Sequence, residues 1–414
     1  MRGRVLFVHP TGNANVRAAL MGLLAVGAVK EFHTTVAAYP GNLWNFLGRS
    51  HSGREFQRRS FDERLQALTV QHPCQELGRM LANRLKLVRL VRHETGVFCI
   101  DAVYRTLDRS VARRLRANSQ AFTGVFAYED GAREVFRVAR DLGLHRYYDL
   151  PIAYWETAQR LLQEEAERLP TWEPTLGGTR DSAAKLVRKT EELELAEVVV
   201  CPSQFVADSL PVTARSSKRV FVAPFGSPTA TLNLQPSTLN SKLRVLFAGS
   251  MTQRKGLGDL MAAMRLLKRN DVELVVMGSL QASMEFYRKE FSGFVYEPGR
   301  PHAQVLALMG ECDVLCLPSI VEGRALVMQE AMSQGLPLIV TPNTGGADLI
   351  EEGVTGFLVP IRSPEIIAAR LDWCADHRAE VRKMGRSAAK LAATYTWENY
   401  GRIVVDAITT SGGK

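Results

Sequence analysis

The sequence predicts an α/β protein of two Rossmann-like domains facing a central cleft, and three observations predict it. Short β-rich runs alternate with helical periodicity from end to end, the pattern of doubly wound domains with parallel sheets. The 414 residues exceed one ordinary core and suit two domains of about 200 residues each. Between two sets of strands lies Ser227 to Lys242, rich in Ser, Thr, Pro and Asn and poor in large apolar residues, a linker composition.

The first set of strands is VLFVH, TTVAAY, GVFAYE, RYYDL, VVVCPS and RVFVAP; the second is LRVLFAG, VELVVMG, GFVYEP, DVLCLPS, PLIVTP and FLVP. The expected organisation is a first domain over 1–226, a linker over 227–242, a second domain over 243–395 and a closing helical stretch over 396–414. Ligands of open α/β sheets bind beyond the carboxyl ends of the strands, which places the expected site in the cleft.

A hydrophobic content of 46% is that of a globular chain, and 52 basic against 43 acidic residues give a net charge of +9. Such a balance favours anionic partners without choosing among nucleotides, nucleic acid and an acidic membrane. The six cysteines (Cys74, Cys99, Cys201, Cys312, Cys316, Cys374) are scattered and read as reduced thiols of a cytoplasmic protein. Cys312 and Cys316 lack metal-knuckle spacing and an accompanying His pair, so no metal site is expected. The opening MRGRVLFVHPTG reads as a first strand rather than a leader. The longest apolar window, Ala18 to Val29, is far short of the roughly 20 residues that span a bilayer.

Chemistry concentrates in EGRALVMQEAMSQG, Glu322 to Gly335, just after the apolar run VLCLPS. Glu322 is expected where a strand-end loop enters a helix, with Glu330 about 12 Å further along it at 1.5 Å per residue. The N–H groups of Gly323, Arg324, Ala325 and Leu326 would be first-turn donors facing a diphosphate, with the positive end of the helix dipole behind them. The plainer alternative makes Glu322 a first-turn acid and Glu330 a solvated helix residue. In SMTQRKGLGDL, Arg254 and Lys255 stand immediately before a helix with Gly256 and Gly258 permitting tight backbone. A fixed cation there stabilises charge that grows on a leaving diphosphate.

These residues, with FAGSMTQRKGLGDLMAAMRLL (Phe247 to Leu267) and the run from Cys312 to Pro360, resemble the retaining family 4 glycosyltransferases of the GT-B fold. The resemblance implies that Glu322 contacts the transferred sugar and Glu330 holds the ribose. It places the family's glycine, five-residue spacer, Lys and Gly pattern on Gly249, Lys255 and Gly256. The family usually has Arg after the first Gly where this chain has Ser250, and Arg254 is the nearest substitute. It also implies that the C-terminal stretch crosses back to the first domain.

In the first domain, PTGNANVRAAL offers Gly12 and Asn13 to a phosphate or sugar, or forms an ordinary turn. GVFAYEDGAREVF puts Glu129 and Asp130 at a strand end, where many members of the resembling family carry a His and this run has none. Glu129 would contact an acceptor hydroxyl or the sugar; Asp130 also fits a helix N-cap. In YYDLPIAYW the aromatic residues suit a sugar wall or a core. In NTGGADLIEEG, Asp348 reads as a helix residue without a ligand role. From Gln75 to Arg116 cations interleave with Leu81, Leu85, Val88 and Val91, the pattern either of solvated helix faces or of a surface for an anionic membrane.

The expectation is a GT-B protein that moves a sugar from a nucleotide diphosphate sugar to the hydroxyl of a sugar, lipid or small molecule. The resemblance implies retention of configuration. No cofactor or metal enters this expectation, since no Asp-X-Asp pair occurs in the sequence. The rival is a non-catalytic basic protein of the same fold binding membrane or nucleic acid. Glu322, Glu330 and Lys255 together disfavour it, because polyanion binding needs none of them. A sugar-nucleotide epimerase is the weaker enzymatic alternative.

Overall fold

A computed structural model describes residues 4–49, 53–228 and 242–410. Strands β1 (Val5–Val8), β2 (Val29–Thr34), β3 (Thr69–Gln71), β4 (Gly124–Tyr128), β5 (His145–Asp149), β6 (Val198–Cys201) and β7 (Arg219–Val222) form one sheet in the order β3-β2-β1-β4-β5-β6-β7. Strands β8 (Leu243–Ala248), β9 (Val272–Met277), β10 (Phe294–Glu297), β11 (Val314–Leu317), β12 (Leu338–Val340) and β13 (Gly356–Leu358) form the second, ordered β10-β9-β8-β11-β12-β13. Every pairing is parallel. The central strands are apolar along their length and buried throughout, as in VLFV of β1, VVVC of β6 and VLCL of β11, because helices cover both faces of such sheets.

The helices that bear on the site are α1 (Ala14–Ala25), α2 (Cys74–Arg84), α3 (Ile100–Ala117), α4 (Arg133–Asp141), α5 (Trp155–Arg168), α6 (Ala183–Leu195), α7 (Leu257–Leu267), α8 (Leu326–Ser333) and α9 (Trp397–Thr409). None of the described helices is long and apolar enough to cross a membrane. All six cysteines are free.

In both sheets strand order reverses beside the first strand, between β1 and β4 and between β8 and β11. Such switch points open a crevice at the carboxyl ends of the strands. Gly12, Asn13 and Glu129 follow β1 and β4; Gly249 to Lys255 and Glu322 follow β8 and β11.

Elements from the two halves interlock. Trp172, in the turn after α5, packs in the second sheet's core, edge-on to Phe286 at 4.9 Å and Tyr287 at 5.8 Å. The fully buried Glu165 of α5 accepts from Gln253 Nε2 at 3.0 Å and Arg362 Nε at 2.7 Å, and also from Arg168. At the other end α9 lies on α1, so closely that a Cβ on Gly22 would stand 2.7 Å from the Gly401 carbonyl.

Two expectations need correction. The second strand is Val29–Thr34 rather than TTVAAY, because charged Lys30 and Glu31 hide its pairing with β1, while the buried Val36 to Ala38 run leaves the sheet. The aromatic residues of YYDLPIAYW do not form a sugar wall: Tyr147, Tyr148 and Tyr154 are buried in the core, and Trp155 donates to Thr190 Oγ1 at 3.1 Å. Most of the linker, residues 229–241, lies outside the described residues.

Candidate active site

Beyond β8 the backbone passes through Gly249 at φ +143, and the Lys255 side chain lies directly across it. A Cβ there would be 2.9 Å from Lys255 Cδ and Cε. Thr252 caps the short turn Gln253–Lys255 by accepting from Lys255 N at 3.3 Å. Gly256 then takes φ +73 against the Pro318 carbonyl, which a Cβ would meet at 2.0 Å. Only glycine fits such a left-handed position so near another backbone. The spacing of Gly249, Lys255 and Gly256 therefore delivers one ammonium across the switch point.

Lys255 Nζ stands 2.5 Å from Glu322 Oε1, and Arg254 Nη1 stands 3.0 Å from the same oxygen. Arg254 is fixed further by donating to Val321 O at 3.0 Å, while its own carbonyl accepts from Ile320 N at 2.8 Å. Burial pushes the Glu322 carboxyl up, but Lys255 and Arg254 outweigh it and hold the group below the usual glutamate range. Glu322 is thus an ionised, buried carboxylate with two cations aimed at it.

The surrounding backbone differs from the expected helix start. Pro318 to Ala325 form a loop, and α8 begins at Leu326. Glu322 N donates to Asn343 O at 3.1 Å and Ala325 N to Thr344 O at 3.2 Å. Ala325 is therefore not an open donor, and eight residues of helical rise do not separate Glu322 from Glu330. The turn after β12 pins the loop: Thr341 Oγ1 donates to Ser319 O at 2.5 Å and Asn343 Nδ2 to Ile320 O at 2.8 Å. Leu326 remains the first helical residue, whose N–H has no partner within the helix. Arg324 turns inward, donating to Gln329 Oε1 at 2.9 Å, Gly345 O at 3.0 Å and Asp348 Oδ1 at 2.7 Å. Asp348 has that structural partner and accepts from Tyr395 OH at 2.8 Å.

Glu330 lies just over one turn into α8, its Oε1 2.9 Å from His302 Nε2. His302 was not singled out from the sequence, where nothing marks an exposed His 28 positions away as its partner. Ser250 is half-buried near Ser279 Oγ, at 3.5 Å from its own hydroxyl.

In the first domain Gly12 is required by packing: a Cβ would meet the Phe61 ring at 2.6 Å. Asn13 is exposed and extended immediately before α1. His9, at the end of β1, is buried with its ring edge-on to Tyr128 at 4.5 Å, and its Nε2 has no hydrogen-bond partner among the described residues. Burial lowers its pKa to about 4. Glu129 Oε1 accepts from Lys189 Nζ at 2.8 Å; burial pushes this carboxyl up, against the pull of Lys189.

Asp130 adopts φ +70 and does not cap α4. The first-turn N–H groups of Glu134 and Val135 donate instead to Asp108, each at 2.8 Å, and Glu192 accepts from Asp130 N at 2.9 Å and Ala132 N at 3.2 Å. At the end of β5 Asp149 is buried, its pKa pushed up to about 7 by burial and then by the charge of Glu129. His9, Lys189 and Asp149 belong to no motif in the sequence; strand-end position is the one signal that marks His9 and Asp149.

The two strand-end faces touch at Gly323. A Cβ there would stand 1.8 Å from the Pro151 carbonyl, and Ser203 Oγ donates to Gly323 O at 2.6 Å. Gly249, Arg254, Lys255 and Glu322 are thus brought together, Glu330 joins His302, and Glu129 belongs to a separate ion network with Lys189.

Two parallel Rossmann-like sheets, with a lysine, an arginine and a buried carboxylate at the switch point of the second, define an α/β protein of the GT-B class. Residues 233–391 match the family described as glycosyl transferases group 1. The chain is 27% identical over 179 residues to the amylovoran biosynthesis glycosyltransferase AmsK of Erwinia amylovora, covering 40% of this chain and 44% of that protein. It is 27% identical over 241 residues to the D-inositol 3-phosphate glycosyltransferase of Paenarthrobacter aurescens, covering 55% and 57%. The chain spans about half the length of these relatives. The fold matches sucrose-phosphate synthase from Thermosynechococcus elongatus with a TM-score of 0.64 at 16% identity, covering 99% of this chain and 98% of that one. It matches HepE of Anabaena in complex with UDP with a TM-score of 0.60 at 14% identity, covering 98% and 100%.

Proposed function

We propose that this chain transfers a sugar from a nucleotide diphosphate sugar to an acceptor hydroxyl with retention of configuration and without a metal ion. The observation that carries the reading is the convergence of Lys255 and Arg254 on buried Glu322 at the β8/β11 switch point. Related proteins of the family bear glycosyltransferase names, and one solved neighbour holds UDP-glucose.

In this reading Glu322 holds Lys255 and Arg254 in place before the donor arrives, so little reorganisation is needed when charge develops on the leaving diphosphate. The two cations and the first-turn amide of α8 take the diphosphate, Glu322 takes sugar hydroxyls, and Glu330, steadied by His302, takes the ribose. Asn13 and the backbone at Gly12, Gly249 and Ser250 line the donor, and Gly323 leaves room where the domains meet. The acceptor oxygen attacks the anomeric carbon on the face the leaving group departs from. The bond from that carbon to the diphosphate breaks, and the leaving phosphate oxygen receives the acceptor proton. Glu129 stands on the acceptor side, its charge balanced by Lys189. The acceptor is a sugar, a lipid or a small molecule, and the protein works in the cytoplasm.

Screening UDP, GDP and ADP sugars in EDTA tests the reading. One donor class at about 100 times its dissociation constant should stabilise the fold by about 2.7 kcal/mol and be hydrolysed slowly or transferred. Stabilisation by none of them, or only with added divalent metal, would contradict it.

A further inference from the structure

The part of the chain between α2 and α3 carries features that the donor site does not use. Leu81, Leu85, Leu87, Val88, Val97 and Ile100 are each between 45 and 72% exposed. Arg84, Lys86, Arg89 and Arg92 are exposed among them. None of these four cations has an ion-pair partner among the described residues, whereas the flanking Arg79 and Arg105 pair with Glu76 and Asp101.

The segment is a built knob. The chain turns at Lys86 with φ +52, makes a short turn over Val88–Leu90 and folds back. Leu87 N donates to Ala82 O, Gly96 N to Arg92 O and Phe98 N to Leu90 O, each at 2.8 Å. Phe98 is seated on Gly78 of α2, where a Cβ would meet its ring at 2.3 Å. Gly78, Leu81 and Leu85 follow helical i, i+3, i+7 spacing, so the exposed leucines share the face of α2 that seats Phe98, and exposed Val97 adjoins Phe98 in the chain. The only acid from Leu77 to Ile100, Glu94, is occupied by Ser182, whose N–H it accepts at 2.8 Å.

Six large aliphatic side chains held in water form a patch that monomeric surfaces seldom carry without a partner. Unpaired cations around them select the partner's chemistry. Nucleic acid satisfies the cations but has no use for aliphatic side chains. A bilayer with anionic headgroups satisfies both, phosphates meeting the cations and the acyl boundary taking the aliphatic groups. We propose that this knob is a docking surface for an anionic lipid bilayer.

The knob leads into α3, whose Tyr104 ring lies 6.2 Å from that of Tyr128 at the end of β4, the side of the first sheet on which acceptor groups are expected. Docking therefore turns the first-domain mouth toward molecules held at the membrane surface. That orientation rests on the glycosyl-transfer reading, but the docking itself does not.

Sedimentation of the full chain with phosphatidylcholine vesicles, with and without phosphatidylglycerol, tests the proposal. The chain should pellet with anionic vesicles only, and release should follow as the Debye length falls from about 10 Å at 0.1 M salt to about 3 Å at 1 M. Each charge lost should weaken partitioning on the order of fivefold, so Arg84→Glu, Lys86→Glu, Arg89→Glu and Arg92→Glu together should abolish it. Leu85→Ser with Val88→Ser should also reduce it at least tenfold. All six positions are exposed, and unchanged circular dichroism and nucleotide-sugar stabilisation of the variants separate lost docking from lost folding or a lost donor site. Equal partitioning to both vesicle types, to neither, or undiminished binding of the charge-reversed chain would overturn the proposal. So would a dimer in sedimentation velocity that Leu85→Ser with Val88→Ser dissolves, since the patch would then be a protein interface.

Discussion

Lys255 has three restraints in the structure: the space cleared by Gly249, the Thr252 cap and the carboxylate of Glu322. Its role is thereby tied to a position rather than to charge alone. Lys255→Ala should lower turnover about 100-fold or more while raising the donor KM much less, because the interaction strengthens as the diphosphate leaves. Steady-state kinetics with EDTA present measure this, and full turnover at saturating donor would remove Lys255 from leaving-group stabilisation. Asp149 makes a prediction of a different kind. Its folded pKa of about 7 lies above the ordinary 3.8, so the folded state binds the proton more tightly and loses stability as pH rises from about 4 through about 7. Asp149→Asn does not titrate, and its stability advantage over the parent should grow by about 2 to 3 kcal/mol between pH 5 and pH 8. Thermal melts at the two pH values decide; a constant difference would show that Asp149 titrates normally.

At the scale of elements, the loop from Pro318 to Ala325 and the turn after β12 act together, and Gly323 is where they meet the first domain. Gly323→Ala would press a methyl group against the Pro151 carbonyl, backbone against backbone. The domains must then separate locally, and turnover should fall at least tenfold with nucleotide affinity changed less than threefold. Kinetics beside calorimetry check this; equal loss in both would mean that the donor pocket itself is distorted. This scale also shows what the sequence could disclose. The Gly249 to Gly256 spacing, the position of Glu322 after an apolar strand and the parallel alternation were legible because each is local in the chain. The start of α8 was not, since Ala325 offers no capping side chain and the loop is held by Asn343, Thr344 and Thr341. The cap of α4 was misread at Asp130 for the same reason: Asp108 and Glu192 supply it from other helices. The inward turn of Arg324 and the pairing of Glu330 with His302 likewise depend on partners that only the fold brings near.

At the scale of the whole molecule, Glu165 joins the halves, buried between Gln253 and Arg362. Removing one partner from such a buried set typically costs about 3 to 5 kcal/mol. Glu165→Ala should therefore lower the melting temperature and broaden or split the transition as the halves uncouple, which calorimetry would record; an unshifted single transition would show that α9 on α1 suffices to hold them. The central claim, that the second domain's switch point is a nucleotide-sugar site, is tested most directly by titrating UDP, GDP and ADP into the parent chain and Glu330→Ala in a calorimeter with EDTA present. One nucleotide should bind the parent, and loss of a charged hydrogen bond to its ribose, about 1.5 to 3 kcal/mol, should weaken it roughly tenfold to 100-fold in the variant. Unchanged affinity in Glu330→Ala, or no binding by the parent, would contradict the account.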